Sequence, residues 1–96
     1  MTHVADLHTV LAALAEPVRL EMTRRLFVTG EAVGCAALYD TVTKATASHH
    51  FKILREAGIV ERHALGQGAA YTLRFEEVEA AYPGLLAAVL NAAPTR

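Results

Sequence analysis

Along the first part of the chain apolar side chains return at helical spacing. Leu7, Val10, Leu11 and Leu14 stand at i, i+3, i+4 and i+7, which predicts an amphipathic helix. Pro17 suits the first turn of a second helix, where its missing N–H costs nothing. That helix runs through Val18, Met22 and Leu26 to a stop at Gly30. Cys35, Leu38, Tyr39 and Val42 form a shorter helical stripe. Thr43 suits the N-cap of a fourth helix, which buries Ala47, Phe51 and Leu54 and ends at a left-handed Gly58.

The period then changes. Residues 59–65 and 69–75 alternate weakly around Gly66-Gln67-Gly68, a β-hairpin pattern anchored by Val60, Tyr71, Leu73 and Phe75. Glu76, Glu77 and Glu79 favour the positive end of a following helix. Pro83 divides that last region into a short helix to Ala81 or Tyr82 and another from about Pro83, with Leu85, Leu86, Val89 and Leu90 as a dense apolar face. The expected fold is mainly α with a small β-hairpin, and 96 residues leave room for one domain, spanning 1–96.

Composition adds a second expectation. Hydrophobic residues make up 53% of the chain and charged residues only 20%, more apolar surface than so small a monomer hides easily. A homodimer joined through the first and last helices is the simplest outlet, with Leu7, Leu11, Leu14, Leu85, Leu86 and Val89 as its contact residues. The start of the chain lacks a signal-like pattern, and no apolar run approaches 20 residues, so neither secretion nor membrane insertion is expected. The single Cys35 fits a reducing compartment, and the cytoplasm is the expected location.

The net charge of −1 hides a strong asymmetry. Residues 44–74 carry Lys44, Lys52, Arg55, Arg62 and Arg74 against only Glu56 and Glu61, whereas both flanks are acidic. Two short helices, Cys35–Tyr39 and Lys44–Ala57, followed at once by a hairpin, are the parts of a winged helix-turn-helix. The second helix of such a unit enters the major groove of double-stranded DNA. A helical wheel built on Phe51 puts Ala45, Thr46, His49 and Lys52 opposite the buried stripe, with Lys44 and Ser48 at its flank. The expected DNA-contacting residues are therefore Lys44, Thr46, Ser48, His49 and Lys52 on the helix, and Arg62 and Gln67 on the wing.

Two stretches carry a family resemblance. Ala15-Glu16-Pro17-Val18-Arg19-Leu20 and Ser48-His49-His50-Phe51-Lys52-Ile53-Leu54-Arg55-Glu56-Ala57-Gly58-Ile59-Val60 resemble the signature segments of the ArsR family. The resemblance reaches from the first helix to Tyr82-Pro83-Gly84-Leu85-Leu86. It implies a dimeric winged-helix repressor whose helix at Lys44–Ala57 reads a palindromic operator, whose hairpin touches flanking DNA and whose terminal helices build the dimer. Many members release DNA on binding metal ions. This chain departs from them: Ala32-Val33-Gly34 stands where a Cys-x-Cys often lies, and residues 76–96 contain no His or Cys. No metal and no cofactor are expected, which leaves an unidentified small-molecule inducer, or none.

Three competing readings attach to these residues. Cys35 reads as packing with Leu38 and Tyr39, with a redox-responsive repressor as the alternative. A winged-helix module that binds protein instead of DNA is a second, which the basic middle third argues against. An enzyme would need Cys35, His49 and Asp40 to converge in a pocket, and His49 is expected to face outward. Among the remaining basic residues, His50 is expected at the edge of the buried face, and Arg24 and Arg25 on a solvated one. Arg62 and Arg74 are candidates for holding phosphates.

Overall fold

The computed structural model describes residues 3–66 and 68–92. Among these residues, five α-helices, a 3-10 turn and three short strands follow one another: α1 (Leu7–Leu14), α2 (Pro17–Thr29), β1 (Val33–Gly34), the 3-10 turn (Cys35–Leu38), α3 (Lys44–Glu56), β2 (Val60–Leu65), β3 (Gly68–Leu73), α4 (Phe75–Ala81) and α5 (Leu85–Ala92). The starts of α1, α2 and α3 are fixed by side-chain caps. Asp6 accepts from the Thr9 N–H at 2.9 Å, Glu16 from Arg19 at 2.9 Å and Thr43 from Thr46 at 3.2 Å. Each satisfies an N–H that the helix itself leaves unpaired. Glu79 does the same for α5, its two carboxylate oxygens accepting from Gly84 and Leu86.

The core lies where the helices meet the sheet. Val10 and Leu14 of α1, Met22 and Leu26 of α2, Leu38, Phe51 and Leu54 of α3, Ile59, Val60, Val78, Leu86 and Leu90 are all buried in one cluster. Leu14 and Leu86 therefore serve the protomer's own core, at 4% and 0% exposure. They have little or no surface left for a subunit contact. Leu7 and Leu11 stay exposed at 46% and 43%, and Leu85 and Val89 are half-buried.

The sheet departs from the expected hairpin by one strand. β2 and β3 pair antiparallel from Val60↔Leu73 to Leu65↔Gly68, and β1 adds to the other edge of β3 through Val33↔Tyr71 and Gly34↔Ala70. Two residues show no periodicity, so β1 had no local signal. Phe75 also moves: it opens α4 instead of closing a strand, and its ring stacks on Phe27 of α2 with centroids 5.7 Å apart. The helical stripe at Cys35–Val42 contracts to one 3-10 turn, because Tyr39 turns extended at φ −149° and ψ 157°.

Arg24 and Arg25 are not a solvated face. Both hold Glu21, at 2.8 Å and 2.7 Å, and Arg25 reaches on to the Ala37 carbonyl and Asp40. This network ties the chain ahead of α3 to α2. Hydrogen bonds from Arg24 and then Arg25, opposed by partial burial, hold the Glu21 carboxyl down at about 2. Its folded pKa thus lies below the 4.5 of an ordinary glutamate. The stabilisation is fully present above about pH 4.5 and is lost as pH falls toward 2. Glu21→Gln should therefore lower stability at neutral pH and flatten the loss between pH 5 and 2, read by urea unfolding across that range. An unchanged acid slope in the variant would remove Glu21 from the account.

Candidate nucleic-acid interface

Helix α3 is built to show one face and bury the other. Ala47, His50, Phe51 and Leu54 point inward, and Lys44, Ala45, Thr46, Ser48, His49, Lys52 and Arg55 are exposed. The expected outward residues of this helix thus all stand on its open side. Ala45, Thr46 and Ser48 keep the exposed side of the first turns slim, so the helix can approach a groove closely. Thr46 is partly engaged at the helix start, where the Thr43 and Thr46 hydroxyls lie 3.1 Å apart.

Phe51 docks this helix on the rest of the protein. Its ring stacks on Tyr71 of β3 at 4.3 Å and 10°, and meets Tyr39 edge-on at 6.2 Å. Around that anchor a cleft of about 360 Å³ opens between α3 and the β2–β3 hairpin, with Lys44 and Ser48 on one wall and Arg62 and Ala64 on the other. The structure brings Lys44, Ser48 and Arg62 to this one cleft. Thr46, His49 and Lys52 are on the exposed side of α3, and Gln67 lies outside the described residues. Two cations and a hydroxyl around a single cleft suit an anionic oxygen. Tyr39 also lines this cleft; its apolar spacing to Cys35 reads in the sequence only as helix packing.

Other candidates take structural duties. Arg74 donates to the Gly58 carbonyl at 2.9 Å and stands 3.9 Å from Glu77, so it braces the chain between α3 and β2. His63 meets the Thr72 hydroxyl across the hairpin at 2.9 Å. His50 is buried, as expected from the edge of the inner face, with its Nδ1 3.0 Å from Arg19. Cys35 is half-buried against the core and lines the α3 cleft. The residues present do not fit a thiolate metal site. Val33-Gly34 is strand β1, and α5 (Leu85–Ala92) carries no His, Cys or carboxylate.

A helix presented beside a small antiparallel wing, on a base of packed helices, defines a winged helix-turn-helix protein. A sequence model described as a helix-turn-helix domain matches residues 14–63. The chain is 33% identical over 79 residues to the uncharacterized HTH-type transcriptional regulator YceK of Bacillus subtilis (strain 168), covering 80% of this chain and 79% of that one. Among solved structures it is similar to the transcriptional repressor BigR from Xylella fastidiosa, with a TM-score of 0.69 and 26% identity over 94% of this chain and 88% of that one. An ArsR family transcriptional regulator superposes with a TM-score of 0.70 at 20% identity, over 85% of this chain and 90% of that one. The chain belongs to the DNA-binding helix-turn-helix transcriptional regulators, and its fold is that of the ArsR family.

Proposed function

We propose that this protein is a sequence-specific transcriptional repressor that binds a palindromic operator as a homodimer, with 1–96 forming one DNA-binding domain. The observation that carries the reading is the two-sided α3: Phe51 is fixed on the sheet, while Thr46, Ser48, His49 and Lys52 stand free of the core. His49 reads base edges and Lys52 meets phosphate. Lys44, Ser48 and Arg62 hold the backbone where it crosses the cleft, and Gln67 is a further DNA contact in this reading. The wing supports affinity more than sequence choice. A two-fold dimer places its two reading helices about one DNA turn apart, so half-sites lie roughly 10–11 base pairs apart, centre to centre.

Selection of bound duplexes from a random pool tests the reading and supplies the operator. On that site His49→Ala should cost about 1–3 kcal/mol and relax choice at one position. Lys52→Ala should weaken operator and random DNA alike and reduce the salt dependence. If both variants bound every duplex as the parent does, the assignment of α3 would fail.

The dimer in this proposal rests on the surface left around α1 and α5. Both helices pack on α2, and the Tyr82 hydroxyl donates to the Ala5 carbonyl at 2.7 Å, fastening the α4–α5 corner to the segment ahead of α1. The open apolar residues there are Leu7 and Leu11 on α1, and Leu85 and Val89 on α5 are half-buried. Leu7→Glu with Leu11→Glu should give a folded monomer, because neither residue is in the protomer core. Leu86→Glu should unfold the chain instead. Sedimentation of the unaltered protein as a micromolar monomer would overturn this part.

A further inference from the structure

We infer that Arg19 positions the reading helix through His50, and that the link holds only while His50 is neutral. The inference rests on α3 being the DNA-reading element. Arg19 sits in the first turn of α2 and its guanidinium meets three neutral acceptors. Nε donates to the Ala13 carbonyl at 2.8 Å, Nη2 to the Ala12 carbonyl at 3.4 Å, and Nη1 lies 3.0 Å from His50 Nδ1. The first two are at the C-terminal end of α1, the helix that carries Leu7 and Leu11. The third is on the buried side of α3, one residue from His49. One planar side chain thus joins the proposed dimer helix to the reading helix.

The chemistry of the pair fixes its protonation. A guanidinium has donors and no acceptor, so Nδ1 must offer its lone pair, and the neutral ring carries its proton on Nε2. Glu16 Oε1 waits 3.9 Å from the same Nδ1, while it caps α2 through the Arg19 backbone N–H at 2.9 Å. Protonation of His50 therefore exchanges one partner for the other. The new Nδ1–H repels Arg19 and points to Glu16, drawing the ring away from α1 and toward the start of α2. The charged or titratable groups facing the ring are Arg19 and Glu16 from α2 and its cap, and His49 beside it on α3 with centroids 5.9 Å apart.

The consequence is a positional one. His50 is 9% exposed and touches no groove, yet its shift moves the neighbouring His49 and Lys52 relative to the other half of a dimer. Acid should lower the preference for operator over random DNA, even as added positive charge strengthens binding to both. Changes along such a contact chain commonly shift coupling by about 2- to 30-fold, which is the loss of preference expected for Arg19→Ala at neutral pH.

The test uses the full chain in two arms. In the first, nitrogen NMR of the free protein follows the His50 ring and the α3 amides from pH 8 to 5.5. The expected result is the Nε2–H form at neutral pH, and α3 amide shifts that titrate with His50. An Nδ1–H form, or α3 amides indifferent to that titration, overturns the inference. In the second, operator and random duplex binding are measured over the same range for the parent, Arg19→Lys, Arg19→Ala and His50→Asn. The Asn Oδ1 stands near the place of Nδ1 and accepts without titrating, so His50→Asn should lose the acid-driven fall in preference. Equal pH profiles in the parent and His50→Asn would also overturn it. Thermal unfolding in parallel separates a misfolded Arg19→Ala from a mispositioned helix. If no variant and no parent prefers any duplex at any pH, it is the DNA reading that fails, and the first arm still decides whether Arg19 sets the position of α3.

Discussion

Replacing Phe51 with Ala is expected to cost about 3–5 kcal/mol, the range for removing a buried phenylalanine side chain. For a 96-residue chain the whole stability is on the order of 5–15 kcal/mol, so the variant should stand near the edge of folding. The ring is 5% exposed and stacked flat on Tyr71, whose strand β3 is the middle of the sheet. It also meets Tyr39 edge-on. Aromatic contacts of this kind add about 0.5–1.5 kcal/mol beyond their buried area. Phe51→Leu keeps most of the volume and loses the stack, so it should fall clearly between parent and Ala. Thermal unfolding at matched protein concentration measures the series. A fall of less than about 5 °C for Phe51→Ala, when 1 kcal/mol corresponds to roughly 4–8 °C at this size, would show that α3 is held mainly by something else.

The position of Phe51 also explains what could be read from the chain. Helix α3 was legible because three signals coincide: a Thr cap, an apolar stripe at Ala47, Phe51 and Leu54, and a glycine stop. The hairpin was legible from its turn, though not its ends, since Phe75 reads as a strand aromatic until α2 offers it Phe27 to stack on. Strand β1 was not legible. Val33-Gly34 becomes a strand only because β3 has an open edge beside it, and that edge is made by residues far along the sequence. The same holds for Arg19 and Arg25. Arg24 and Arg25 meet Glu21 at helical spacing, but the partners at His50, Ala37 and Asp40 come from the fold.

The outward face of α3 was legible for a related reason. Exposure there follows from the buried stripe by helix geometry alone, and no distant contact has to be known. The apolar face proposed for the dimer was less so. Leu7 and Leu11 cannot be told from Leu14 by spacing, nor Leu85 from Leu86, and only packing against α2 and the sheet decides which leucines the protomer keeps. Part of the apolar surplus in the composition, Leu14 and Leu86 among it, is therefore the protomer's own core. What is left exposed is a smaller patch, which makes oligomeric state a sharper test than the bulk composition suggested.

Gly58→Ala is expected to be far more damaging than Gly30→Ala, although both glycines end a helix in the left-handed conformation, at φ 80° and 77°. At Gly30 an added Cβ meets nothing within 4 Å, so the variant measures the left-handed penalty alone, about 1–2 kcal/mol. At Gly58 the same Cβ would stand 2.5 Å from the His3 carbonyl oxygen and 2.8 Å from Val4 Cα, both backbone atoms. The N-terminal segment would have to move. That motion pulls on the Ala5 N–H, which donates to the Ala57 carbonyl at 3.0 Å, and on the Ala5 carbonyl, which holds Tyr82. It also disturbs the turn that closes α3, where Gly58 donates to Arg55 and Ile59 to Leu54 with both apolar side chains fully buried. The extra cost over Gly30→Ala should exceed about 1 kcal/mol, because a hydrogen-bonded buried segment is displaced and not merely a rotamer. Urea unfolding of the two variants side by side measures the difference. Equal destabilisation would mean that the chain ahead of α1 yields without resistance, and the contact of Val4 and Ala5 with α3 would then be a passive consequence of the fold.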